Sequence, residues 1–125
     1  MANLSVAVIG ANTDRTRYGN KSVRAHQMAG YDVYPISPSG GVIEGLTAYT
    51  SIADVPAKHL NRVTLYVRPE IVAGLLDAIA AKGCDELWFN PGTASPEVVT
   101  RAKALGLNAI EGCSIVDLNI SPATL

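Results

Sequence analysis

The sequence predicts an α/β fold, a doubly wound parallel sheet between two layers of helices. Two observations point to it. Short β-branched apolar runs that stop at Gly, Pro or small polar residues recur along the chain, and amphipathic stretches with recognisable ends alternate with them. Strand, helix, strand in repeated succession is the pattern of parallel strands covered on both sides. The 125 residues, 48% of them hydrophobic, suit one domain spanning the whole chain, with a core that needs neither disulfides nor a structural metal.

The elements follow in order. Residues 4–9 form a buried strand that runs into a turn at Gly10. A helix over 20–29 turns Val23 and Met28 inward and closes at Gly30, and residues 32–36 form the second strand, ending in Ser37-Pro38-Ser39. Between 41 and 56, either Val42-Ile43 or residues 46–49 add an edge strand, and Ser51-x-x-Asp54 starts a one-turn helix before Pro56. A strand over 62–67 ends at Arg68-Pro69. The helix over 70–82 places Ile71, Val72, Leu75, Leu76 and Ile79 on one face and closes at Gly83. Residues 86–89 form a strand ending in Asn90-Pro91-Gly92. Ser95-Pro96-Glu97 then supplies an N-cap, a first-turn proline and an acid that suits the helix dipole, and Val98, Val99, Ala102 and Leu105 face inward before Gly106. The last strand covers 107–110. Beyond Cys113, the apolar Ile115, Val116, Leu118 and Ile120 either pack on the core or join two chains, leaving monomer and homodimer both open.

Composition excludes several functions. A net charge of −1 argues against nucleic acid as a partner, because phosphate backbones are held by surplus Lys and Arg. Cys84 and Cys113 fit no metal-ligand or disulfide spacing, so free thiols and no metal are expected. Residues 1–9 lack a basic targeting region, and the apolar stretch 71–81 is interrupted by Asp77 and too short to span a bilayer. A cytoplasmic protein without a membrane partner is the expectation.

In doubly wound sheets, ligands bind beyond the carboxyl ends of the strands where the strand order reverses. That places the first loop at the crevice: Gly10, Ala11, Asn12, Thr13, Arg15, Arg17, Tyr18, Gly19, Asn20 and Lys21. Gly10 makes the turn, Gly19 lets the backbone come close, and Asn20 and Lys21 stand where free N–H groups and the helix dipole attract anions. Arg15, Arg17, Lys21 and Arg24 are four of the ten basic residues, and Asp14 is the only acid before Asp32. The dinucleotide fingerprint is absent: Ala11 and Asn12 follow Gly10, and no acid closes the second strand, which disfavours NAD, while the lack of a basic residue there disfavours NADP. The spacing from Gly10 to Gly19 does not make a Walker loop. His26 and His59 read as bystanders. Cys113 reads as a packed small residue, with a mixed disulfide to a thiol ligand as its alternative. Asn90-Pro91-Gly92-Thr93 lies on the same sheet edge as the first loop.

Taken together, Val8-Ile9-Gly10-Ala11, Asp14-Arg15, Tyr18-Gly19-Asn20-Lys21, residues 30–35, Ile43-Glu44-Gly45, residues 51–56 and residues 87–92 resemble the small single-domain CoA-binding proteins of bacteria. They are also similar to the CoA-binding domain of the succinyl-CoA synthetase alpha subunit. The resemblance implies a three-layer Rossmann-like fold that binds coenzyme A, with phosphates on Gly10 to Lys21, Ser37 and Pro38 bordering the adenosine, and Val67, Arg68, Pro69 and Ile71 on the opposite wall. It implies binding without catalysis; the alternatives are a ligase or transferase component that needs a partner subunit, and an NAD(P)-binding domain. Relatives often carry a basic residue after the second strand, where this chain has Ser39-Gly40-Gly41. Arg15, Arg17 or Arg68 would then have to meet the ribose phosphate.

Overall fold

The computed structural model describes residues 3–125; residues 1 and 2, the start of the stretch read above for a targeting segment, lie outside the described residues. The main sheet comprises β1 (Ser5–Ile9), β2 (Asp32–Ile36), β5 (Leu60–Leu65), β6 (Cys84–Phe89) and β7 (Ala109–Glu111), all parallel, in the order β2-β1-β5-β6-β7. The chain therefore runs outward one way from β1 to β2 and the other way from β1 through β5, and the reversal lies between β1 and β5. A separate antiparallel hairpin is made by β3 (Val42–Ile43) and β4 (Leu46–Thr47). The helices are α1 (Tyr18–Met28), α2 (Pro69–Ala73), α3 (Leu76–Lys82), α4 (Pro96–Ala104) and α5 (Ser114–Asp117), with 3-10 turns at Ile52–Asp54 and Pro122–Thr124.

The period of two along each strand sorts the core into two layers. Ala7 and Ile9 face Val72, Leu76 and Ile79 of α2 and α3 and Val98, Val99 and Ala102 of α4. Val6 and Val8 face the other way, onto Val23 of α1 and Ile43 of the hairpin. In β5 and β6, Val63, Leu65, Leu87 and Phe89 join the first layer. The alternate residues Arg62, Thr64, Trp88 and, just past β6, Asn90 are buried on the second face, which is therefore polar where α5 docks.

Several expectations are corrected. The single helix over 70–82 is two: Gly74 N–H and Leu75 N–H bond three residues back, to Ile71 O (3.1 Å) and Val72 O (2.9 Å), which tightens the turn at a residue of low helix propensity. Val72, Leu76 and Ile79 are buried, and Ile71, about 100° round the helix from Val72, is 45% exposed. Met28 points outward, 68% exposed, because five residues at about 100° each carry it roughly 140° away from Val23. Leu105 caps α4 in an exposed position, and Leu107 is buried instead. Neither candidate edge strand joins the main sheet; the two pair with each other across Glu44 (φ 48°) and Gly45 (φ 79°), the positive dihedrals of a two-residue hairpin turn. An isolated parallel bridge, Ile36 to Tyr49, links the second candidate stretch to β2, through Ser37 N–H to Tyr49 O and Tyr49 N–H to Pro35 O, both at 2.9 Å. The carboxyl-terminal segment packs on its own chain, with Ile115 fully buried and Leu118 and Ile120 half-buried. Among the described residues, no helix is long and apolar enough to cross a membrane.

Candidate functional site

A cleft of about 670 Å³ opens at the carboxyl ends of β1, β5 and β6, at the reversal of strand order. One side is the first loop and the start of α1, through Gly10, Asn12, Arg17, Tyr18 and Gly19. The β5–α2 turn contributes Tyr66, Val67 and Arg68, the β6–α4 loop Asn90, Pro91, Gly92 and Thr93, and the carboxyl-terminal segment Cys113, Val116 and Pro122.

Close backbone approaches shape the floor. A Cβ on Gly10 (φ 90°) would stand 2.8 Å from Tyr66 O, and one on Gly19 would stand 2.0 Å from Gly10 O, so only glycine lets α1 begin against the end of β1. The amides of Gly10 and Ala11 are spent on Ile36 O, both at 3.2 Å. The first helical bond is Lys21 N–H to Arg17 O (3.0 Å), and no side chain caps α1, so the amides of Tyr18, Gly19 and Asn20 are its free donors. The helix starts two residues earlier than its apolar pattern suggests, so the free donors are Tyr18, Gly19 and Asn20, and the amide of Lys21 is already bonded.

Seven expected site residues line the cleft: Gly10, Asn12, Arg17, Tyr18, Gly19, Val67 and Arg68. The others have different places. Asn20 is fully buried, giving Nδ2–H to Asn12 O (2.8 Å) and Glu44 Oε2 (3.1 Å) and accepting at Oδ1 from Arg24 Nε (2.8 Å). Arg15 turns to Glu44 at 3.6 Å, and Lys21 Nζ donates to Pro122 O at 3.1 Å. Ala11 is buried and Thr13 exposed. Ser37 is buried, with its amide on Tyr49 O and its hydroxyl on Ser39 Oγ (3.2 Å); Pro38 is exposed. Pro69 is the first residue of α2, and Ile71 follows on that helix's exposed side. Of the three arginines considered for a ribose phosphate, Arg17 and Arg68 are at the cleft and Arg15 is held by Glu44.

The Thr16 hydroxyl (2.6 Å) and amide (2.9 Å) hold the Asp14 carboxyl below the usual range and so keep it ionised, and Arg17, 3.8 Å away, is the cation beside it. Tyr66 shares a hydrogen bond with Ser114 Oγ (3.1 Å), and burial pushes its phenol pKa up, so it remains a neutral wall. Cys113 is half-buried on the cleft wall rather than packed away. Tyr66, Val116 and Pro122 line the cleft without having been expected there from the sequence. Tyr66 sits at a strand end and was legible in principle, whereas Val116 and Pro122 arrive through a long-range return that carries no local signal.

A family model described as the CoA binding domain matches residues 4–119. The chain belongs to this CoA-binding domain family. The domain superposes on a conserved hypothetical protein from Pyrococcus furiosus (26% identity, TM-score 0.82), covering 91% of this chain and 98% of that one. A hypothetical protein from Pyrococcus horikoshii is similar at 26% identity and TM-score 0.85, over 94% of this chain and 82% of the other. A dinucleotide-forming acetyl-coenzyme A synthetase from Ca. Korarchaeum cryptofilum, in complex with phosphate and ADP, matches at 26% identity and TM-score 0.73, over 85% of this chain and 25% of that one. The family match assigns this chain a CoA-binding domain, and these relatives are archaeal proteins rather than the succinyl-CoA synthetase alpha subunit. In the synthetase, what matches is one small module of a much longer chain. Among the described residues, no three His, Cys, Asp or Glu side chains gather to hold a metal ion.

Proposed function

We propose that this CoA-binding domain holds coenzyme A or a short acyl-CoA reversibly in the cleft between the first loop and the carboxyl-terminal segment. The observation that carries the reading is the free amide end of α1 at the strand reversal, with Arg17 and Arg68 on the same cleft. The residues fit such a ligand. A diphosphate needs N–H donors and cations, and Tyr18, Gly19, Arg17 and Arg68 supply both. The volume lies in the range of small-molecule sites, and Val67, Pro91, Val116 and Pro122 offer an apolar wall for a carbon chain. The domain's own residues bind and orient; a thiol or thioester is the chemistry such a ligand would bring.

Two uses of that binding compete. A stand-alone carrier or sensor is one. The match to a quarter of an acetyl-coenzyme A synthetase favours the other, in which the domain is the CoA-binding component of an acyl-CoA-forming ligase whose catalytic parts lie on another subunit. Calorimetric titration with CoA should show one site per chain, weakening as salt rises. Arg17→Gln and Arg68→Gln should each weaken binding about tenfold, the loss of one charge-assisted hydrogen bond. Equal binding of dephospho-CoA would remove the ribose phosphate from the account, and no heat with any CoA species would overturn it. Co-purification of a second subunit from lysate selects the ligase use; a chain that always runs alone selects the other.

A further inference from the structure

The β3–β4 hairpin bears no cleft residue, yet its tip is tied to the first loop. We infer that Glu44 is a positioning residue for the ligand site: its carboxylate holds the first loop and the start of α1 in their binding arrangement through Asn20. The inference rests on the reading of the cleft as a CoA site.

Three observations carry it. Glu44 occupies a left-handed backbone position (φ 48°) beside Gly45, in a turn that favours Asn or Gly over a long side chain. The carboxylate, 22% exposed, accepts from Asn20 Nδ2 at 3.1 Å and stands 3.6 Å from Arg15 Nε, while Glu44 O accepts from Gln27 Nε2 at 3.3 Å. Asn20 is fully buried and passes the constraint on, because the same Nδ2 donates to Asn12 O, and Asn12 lines the cleft. Without the carboxylate, one hydrogen of the buried Asn20 amide loses its acceptor, and the tie between the hairpin tip and the first loop is lost.

A negative charge near an anion site also opposes binding, so the two effects must be compared. Glu44 is not on the cleft wall, its pair with Arg15 is exposed on the arginine side, and salt screens such charges over about 10 Å at 0.1 M. Geometry therefore outweighs charge, and two substitutions separate them. Glu44→Asn places the residue the turn prefers but cannot reach Asn20; Glu44→Gln removes the charge and keeps a carbonyl acceptor at the same reach.

The test is CoA titration of both variants with thermal melts and amide hydrogen exchange of the first loop. Glu44→Asn should melt within about 3 °C of the parent, because turn relief offsets the lost bond. It should nonetheless bind CoA about tenfold more weakly, with faster exchange at Asn12, Tyr18 and Gly19. Glu44→Gln should bind within about threefold of the parent. Parent-like binding by Glu44→Asn overturns the inference alone, as does equally tightened binding by both variants, which would make Glu44 a repulsive charge. Failure of the parent to bind any CoA species sinks the site reading and the inference with it.

Discussion

His26 shows what a single side chain contributes. Ser22 O can only accept and Arg62 can only donate, so Nδ1, 2.8 Å from Ser22 O, carries the proton, and Nε2 faces Arg62 Nη1 at 3.5 Å as an acceptor. Burial, with the arginine's charge beside it, pushes its pKa down to about 4 from an ordinary 6.5. Between those values the unfolded chain binds a proton that the folded chain refuses. Stability is therefore complete above pH 6.5 and falls by about 1.4 kcal/mol per pH unit as pH drops toward 4. Urea melts across that window should show the slope, and His26→Gln should flatten it; an unchanged profile would assign the slope elsewhere. In the sequence His26 read as a bystander, because neither Arg62, 36 residues away, nor its burial has a local signature. Asn20 and Lys21 were read as ligand-binding residues from the helix start, but neither lines the cleft, and the bonds their side chains make are to Glu44 and Pro122, partners that only the folded chain brings to them.

Among the elements, those with chemical punctuation were legible and those set by packing were not. Ser95 Oγ accepts from Val98 N–H at 3.3 Å with Pro96 next, as the cap residues imply, and β2 has its expected bounds. The α2–α3 break was hidden, because Gly74 interrupts a run whose apolar spacing remains helical. That glycine has φ −79°, and a Cβ there would meet only Ile71 O at 3.7 Å, so nothing in the fold requires glycine. Gly74→Ala should raise stability by about 0.4–1 kcal/mol by restricting the unfolded chain, read as a higher urea midpoint. Gly19→Ala should do the opposite, losing about 3 kcal/mol or more, since its Cβ would strike the Gly10 carbonyl. Loss on both substitutions would mean that the α2–α3 break is itself needed.

At the scale of the whole molecule, the alternation of β5 and β6 decides where α5 docks. Arg62, 5% exposed, lies between the rings of Trp88 and Tyr31, donating to Glu86 Oε1 at 3.0 Å and to Asp117 Oδ2 at 2.7 Å. Asn90 Oδ1 accepts from Ser114 N–H at 2.9 Å, and Thr64 shares a hydrogen bond with Ser114 Oγ at 2.8 Å. A purely apolar second face would not select α5; this polar one does, and α5 in turn brings Cys113, Val116 and Pro122 to the cleft opposite the first loop. The polar residues were visible in the sequence, but their partners on α5 lie 24 to 55 residues away, so the docking was not. Asp117→Asn weakens the shortest of these links. The Arg62 guanidinium keeps Glu86, and no charge is stranded, so the cost should be about 1–2 kcal/mol rather than that of a broken buried pair. If α5 is held mainly from this face, hydrogen exchange should quicken at Ile115 to Leu118 while β1 and β5 remain protected, and CoA affinity should fall in step with the lost wall. Uniform quickening across the sheet would instead make α5 an inseparable part of one cooperative core.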